Sequence, residues 1–183
     1  MNRSPVTRRL TMMALITAIA VAFSFIPGFP MIPAVSFIRY EFSDLPILIG
    51  VFAFGTLPGV EIAAVSVLIS FLLGAEGGGP WGALMHFIAI GVYALAAGLI
   101  YERSKTLKTS IIALAAGIAA MTLVMIPTNL IITPIYTGAP VAAVRALLLP
   151  GIIPVNAIKG VITAVLTFIL YKRISGFLHG GRR

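Results

Sequence analysis

The chain has no cysteine among its 183 residues. That excludes disulfides, thiol nucleophiles and thiolate metal sites. Acidic residues are scarce: five Asp and Glu stand against thirteen Lys and Arg. Charged residues make up 10% of the chain, where a soluble domain carries about a quarter. There is one Trp and there are two His, and neither His belongs to a His-Glu-x-x-His motif. The sequence contains no Gly-x-x-x-x-Gly-Lys-Ser/Thr phosphate loop, so the chain does not power a process with ATP by itself. No Ser/His pair sits in a nucleophile-elbow context, and no paired-Asp motif occurs. An enzyme needs such groups, so we expect no catalytic residues.

Apolar residues fill the space left by charge. They account for 60% of the chain, with a mean hydropathy of +1.09. Such a composition specifies an integral membrane protein. Residues 1–183 read as a single domain, with no internal repeat and too little length for a large two-fold-repeat transporter. No stretch looks like a cleaved signal peptide, because the first apolar run is long enough to remain as a helix. The net charge of +8 reports membrane topology and not nucleic-acid binding.

The expected fold is an all-α bundle of six transmembrane helices, with short second and third helices and long external loops. The first span covers residues 10–26 and carries Ala14, Ala18 and Ala22. This small-xxx-small ridge allows another helix to approach closely. Residues 27–44 form a proline- and aromatic-rich connection with an extended run over 35–42, and Ser43 or Asp44 caps the helix that follows. Residues 45–54 and 60–73 are too short to cross alone in the usual ~20 residues. Gly55 to Gly59 between them reads as a turn that makes a helical hairpin, with Glu61 at the membrane edge.

A glycine-rich loop over 74–80 leads to Trp81, an interface anchor, and to a span over 81–101. His86 lies one turn inside. With no second His or carboxylate at ligand spacing, it reads as a packing residue, and no metal site is expected. The fifth span covers 111–132, and Pro127 and Asn129 interrupt its far end. A second long connection over 133–150 contains a short interfacial helix at 141–149. The sixth span covers 151–171.

The distribution of basic residues orients the bundle. With six spans and an inner N-terminus, Arg3, Arg8, Arg9, Arg103, Lys105, Lys108, Lys172, Arg173, Arg182 and Arg183 all fall inside. Arg39 and Arg145 fall outside. This bias puts both termini in the cytoplasm and the loops at 27–44, 74–80 and 134–150 outside. A cavity bordered by these loops opens to the exterior, and Asn129 and Asn156 lie at that end.

Lys159 lies deep in the last apolar run, where a cation costs at least ~2.5–3.5 kcal/mol on insertion scales. Asn156, Lys159, Thr163 and Thr167 share one helical face beside Gly160. Val155, Ile158, Val161, Ile162 and Val165 form the back that faces lipid. The polar stripe faces protein, a cavity or a ligand. Pairing of Lys159 with a buried acid competes with a ligand-facing role, in which water in an open cavity supports the ammonium until a ligand arrives.

Three motifs together carry a family resemblance: Phe42-Ser43-Asp44-Leu45-Pro46-Ile-Leu-Ile-Gly50, Phe54-Gly55-Thr-Leu-Pro58-Gly59 and Pro154-Val-Asn156-Ala-Ile-Lys159-Gly160. Ala14-x-x-x-Ala18 adds to them. The chain resembles, over nearly its whole length, a substrate-binding S component of the energy-coupling-factor (ECF) vitamin transporters, and most of all the riboflavin-specific branch. The resemblance implies a prokaryotic cell-membrane protein that captures the vitamin from outside and works with a membrane T subunit and two ATP-binding subunits. Riboflavin is then a transported ligand, and no cofactor is implied.

The resemblance also carries over Asn156 and Lys159 as ligand residues, with Asn129, Tyr40, Phe42 and Asp44 as further candidates, and the polar face of the last span adds Thr163. Ala14, Ala18 and Ala22 would meet the T subunit. A flat isoalloxazine with acceptors along one edge suits Lys and Asn donors, with aromatics and Met85 over its faces. Thiamine, folate, biotin or a queuosine precursor on the same scaffold remains an alternative. So does a self-sufficient facilitator, or an enzyme acting on a lipid or polyprenyl substrate.

Overall fold

The structure is a computed structural model that describes residues 4–178, with side chains described through Leu170. Arg3, Arg182 and Arg183, and the side chains of Lys172 and Arg173, lie outside the described residues, as do both chain ends. Among the described residues the architecture is all-helical. Its helices are α1 (Pro5–Ser24), α2 (Asp44–Phe54), α3 (Thr56–Leu72), α4 (Gly79–Arg103), α5 (Leu107–Thr137), α6 (Val141–Ala146) and α7 (Ile153–Leu178). Four stretches are long and apolar enough to cross a membrane: α1, α4, α5 and the run Leu148–Leu170, while α2 and α3 are shorter apolar helices.

The centre of the bundle is α2. Every residue from Asp44 to Phe52 is buried, and α1, α3, α4 and α7 all pack against it. A helix that is apolar all round belongs in an interior, which accounts for its unbroken hydrophobic run. Its neighbours alternate. Leu68, Leu72, Leu95, Leu99, Leu123 and Ile131 are exposed, as expected of helix faces turned to lipid. The main core joins Ile47, Leu48, Ile90, Tyr93 and Met121. A smaller core of Val35, Val144, Ile152 and Val155 lies under the connections at one end.

Several expected boundaries move. The α2–α3 link is one residue, Gly55, at φ 102°, a conformation that favours glycine. Thr56 to Gly59 already belong to α3, because Pro58 sits in the first turn, where its missing N–H costs no helical hydrogen bond. Residues 35–42 are not an extended run. Pro33–Val35 form a 3-10 turn, and an isolated bridge pairs Pro30 with Arg39. Val35 is fully buried and draws this segment inward. Ser43 precedes α2, but no side chain caps its first turn; Asp44 points its carboxylate elsewhere.

Pro127 and Pro134 do not interrupt α5, which continues to Gly138 at φ 71°. Side chains support the backbone through this stretch. Thr128 Oγ1 donates to Val124 O, Asn129 Nδ2 to Met125 O and Thr137 Oγ1 to Thr133 O. The carbonyls freed by the two prolines are Leu123 O and Leu130 O, so these bonds brace the neighbouring turns and do not replace the lost ones. The second connection is accordingly short. It consists of α6 and a π-turn at Leu148–Ile152 that leads directly into α7. On α7, Ile158, Val161 and Val165 are exposed as expected. Val155 is not part of that lipid-facing back, since it is fully buried in the smaller core.

Candidate functional site

At the end where α4 and α7 begin and α5 ends, a cavity of about 750 Å³ opens between the residues 23–43 segment, the Gly74–Gly78 loop and the helices. Its wall includes Tyr40, Phe42, Met85, Asn156 and Lys159. Asp44, Asn129 and Thr163 lie behind the wall. Asn129 is fully buried and bonded within α5, donating to Met125 O and accepting from Thr133 Oγ1 at 3.0 Å. Thr163 Oγ1 donates to Lys159 O at 3.0 Å and lies 3.4 Å from Tyr40 OH. These two residues support the wall from behind.

The helical period of α7 delivers the polar stripe intact: Asn156, Lys159, Thr163 and Thr167 are all buried. Asn156 Nδ2 donates to Ile152 O at 2.8 Å. Lys159 is offset by carboxylates and not by water in an open cavity. Its ammonium contacts Glu41 and lies 3.2 Å from Asp44 Oδ2. Attraction at this depth is strong because little solvent screens it, and two acceptors satisfy most of the ammonium's donors.

His86 is not a packing residue. Its Nε2 lies 2.9 Å from Asp44 Oδ1 and 3.6 Å from Glu41, and its Nδ1 lies 3.0 Å from Glu76. Asp44 therefore bridges α4 and α7, with one oxygen on His86 and the other on Lys159. Glu41 ties the first connection to this pair, and Glu76 ties the glycine-rich loop to it. Sequence reasoning missed Glu41, Glu76 and the role of His86. The one available signal was that most of the five acids fall at the same end of the helices.

Glu41, Glu76 and His86 place one ligand-type atom each within 4.8 Å of one another. Both His86 nitrogens already face carboxylates, and the Lys159 ammonium sits against Glu41 and Asp44. The cluster is therefore built as an ion-pair network.

Aromatic side chains line the first connection. Tyr40 and Phe42 meet edge-on at 5.0 Å, and Phe29 lies 5.5 Å from Tyr40. Burial raises the Tyr40 hydroxyl above its ordinary value, so it remains a neutral donor. Ser43 lines the same cavity, and its buried hydroxyl has no protein partner. The cavity thus offers an amide, an ammonium, hydroxyls, a thioether and aromatic surface. This set suits a flat, neutral, acceptor-bearing ring with a hydroxylated chain.

The opposite end carries Arg8, Arg9, Arg103, Lys105 and Lys108, all exposed. Arg9 donates to Phe54 O at 2.8 Å, and Glu102 accepts from Thr56 N at 2.7 Å. Ala14, Ala18 and Ala22 are exposed along α1, so no element among the described residues covers the ridge.

Comparison with known proteins adds a family model, two relatives and two solved structures. The family model for the substrate-specific component of ECF transporters matches residues 8–171. The riboflavin transporter RibU of Staphylococcus aureus (strain TCH60) is 31% identical over 177 residues, covering 93% of this chain and 92% of the relative. The riboflavin transporter FmnP of Bacillus subtilis (strain 168) is 25% identical over 183 residues, covering 96% of each. A solved structure of the S component of a bacterial ECF transporter superposes with TM-score 0.81 at 30% identity, covering 95% of this chain and 99% of the other. A biotin S component superposes with TM-score 0.62 at 20% identity, covering 94% and 95%. That second likeness shows the fold.

Proposed function

The chain belongs to the ECF transporter family of substrate-specific components, and on that premise we propose that it is the riboflavin-binding subunit of such a transporter. It is a multi-pass cell-membrane protein, and its role is transport and not catalysis. The observation that carries the ligand is the cavity wall. Asn156 and Lys159 stand one helical turn apart on α7, facing the aromatic segment, in a chain 31% identical to a riboflavin transporter. In this reading Asn156 and Lys159 bind the acceptor edge of the isoalloxazine. Tyr40, Phe42 and Met85 cover its faces, and Ser43 meets a ribityl hydroxyl. Asp44, Thr163 and Asn129 hold these groups in place. Riboflavin is cargo, and the protein needs no cofactor or metal.

The topology in this reading is six crossings by α1, α2, α3, α4, α5 and α7, with both termini cytoplasmic and the cavity facing outward. The exposed basic residues at the far end of the bundle support that orientation. The uncovered Ala14, Ala18 and Ala22 ridge is the surface for the T subunit, which couples this chain to two ATP-binding subunits. Small side chains there permit close helix approach.

The test is a titration of purified protein with riboflavin, read by quenching of flavin fluorescence. Saturable quenching at one site per chain is expected. Its absence, with saturable binding of thiamine or biotin instead, would keep the transport role and discard the flavin.

A further inference from the structure

Two carboxylates share the single ammonium of Lys159, and they differ in kind. The Asp44 side chain is 3% exposed and bonded on its other oxygen to His86. It lies at the buried start of α2, behind the cavity wall. The Glu41 side chain is 30% exposed. It sits on the connection before α2 and lines the cavity. Asp44 is closed off from solvent, whereas Glu41 is partly open to it.

We propose that Glu41 is an internal competitor for the Lys159 ammonium and so sets how tightly the cavity holds a ligand with two adjacent acceptors. The inference rests on the reading of Lys159 as the ligand anchor. An ammonium has three N–H donors. Asp44 takes one and Glu41 another, which leaves one for a ligand. A ligand edge with two adjacent acceptors needs a second donor, and only the one held by Glu41 can be released. Releasing Asp44 would strand a buried carboxylate, whereas releasing Glu41 moves a carboxylate from the wall to solvent.

The contact that Glu41 makes is charge-assisted, and such bonds are roughly twice as strong as neutral ones. A ligand with a single acceptor on that edge does not outbid it. A ligand with two acceptors, held also by Asn156, does. The displacement cost then falls on the two-acceptor ligand alone, so Glu41 holds down the affinity of the ligand that fits best. Displacement of Glu41 also frees the first connection from Lys159, while Glu76 and His86 keep the glycine-rich loop in place. Ligand entry therefore rearranges one mouth segment and leaves the other.

The experiment compares wild type with Glu41→Gln and Glu41→Ala. Each is titrated with riboflavin and with 5-deazariboflavin, whose ring has one nitrogen acceptor fewer. Both variants are expected to bind riboflavin about three- to tenfold more tightly, up to ~1.4 kcal/mol, and to widen its affinity lead over 5-deazariboflavin, which uses only the donor that is already free. A purely structural role for Glu41 can weaken binding but has no way to strengthen it. Affinity unchanged within about twofold, or weakened, in both variants would overturn the proposal. A gap between the two flavins that stays constant would overturn its selectivity part. Glu41→Ala carries the test if Glu41→Gln elutes aggregated on size exclusion. Wild type that ignores riboflavin removes the flavin reading alone. The wild-type to Glu41→Gln ratio, read with thiamine or biotin, then still decides the competitor. Protein that binds none of these vitamins overturns both.

Discussion

The two ends of the bundle use the same chemistry at very different depths. At the cavity end, Asp44, His86 and Lys159 are buried, and each acid or base meets at least one partner. At the opposite end, Arg9 meets the last carbonyl of α2, and Glu102 meets the first N–H of α3. That second arrangement suits the helix dipoles, with a cation at a C-terminus and an anion at an N-terminus. Both of its side chains are exposed, however, so water and salt screen it. Burial, and not the identity of the groups, decides which set carries weight. The deep set also concerns the cavity, because removing one member changes what Lys159 has left to offer.

The largest effect expected from breaking this contrast is on stability. Asp44→Ala deletes the more deeply buried of the two carboxylates that meet both His86 and Lys159. A buried charge left without its partner costs about 3–5 kcal/mol. The midpoint of thermal unfolding in detergent should fall steeply, and Asp44→Asn should recover part of the loss. A midpoint unchanged in Asp44→Ala would mean that water reaches Lys159 freely.

The next effect is on affinity. Lys159→Met keeps an apolar stem of similar length and deletes the donor. It should weaken riboflavin binding about a hundredfold, while the fold persists. Asn156→Ala should weaken it about ten- to a hundredfold, because a buried acceptor without its donor costs ~1–3 kcal/mol and ~1.4 kcal/mol is tenfold. Flavin quenching reads both variants. Unchanged affinity in both would remove the site from α7.

The smallest effect belongs to the exposed end. Glu102→Gln and Arg9→Ala should each cost about 0.5–1 kcal/mol or less, and less still in high salt. Riboflavin affinity should move by less than about twofold. A loss of stability comparable to that of Asp44→Ala would place these contacts in an unscreened interior and erase the difference between the two ends.

What was legible in the sequence followed helical periodicity. The stripe of Asn156, Lys159 and Thr163 came from one helix and survives as one buried face. The alanine ridge on α1 did too, and it is exposed. The paired short helices were visible because their apolar runs were short and broken by glycine. What was not legible joined distant parts of the chain. Glu41 and Lys159 lie 118 positions apart, and Asp44 and His86 lie 42 apart. No spacing rule relates such residues. His86 read as packing because its carboxylates arrive from other elements. Pro127 read as an interruption because it removes a helical hydrogen bond, yet α5 runs on past it, braced by side-chain bonds one turn back.

Composition and local period, then, determined a membrane-embedded helical chain and the polar face of α7. Each of these depends on the solvent around a segment or on 3.6 residues per turn, and both can be read from neighbours in sequence. Tertiary structure decided how the cost of Lys159 is met, which acids meet it, and that His86 and Glu76 join them. Those outcomes depend on distances between helices and on the exclusion of water, which exist only once α2, α4, α7 and the two mouth segments have packed.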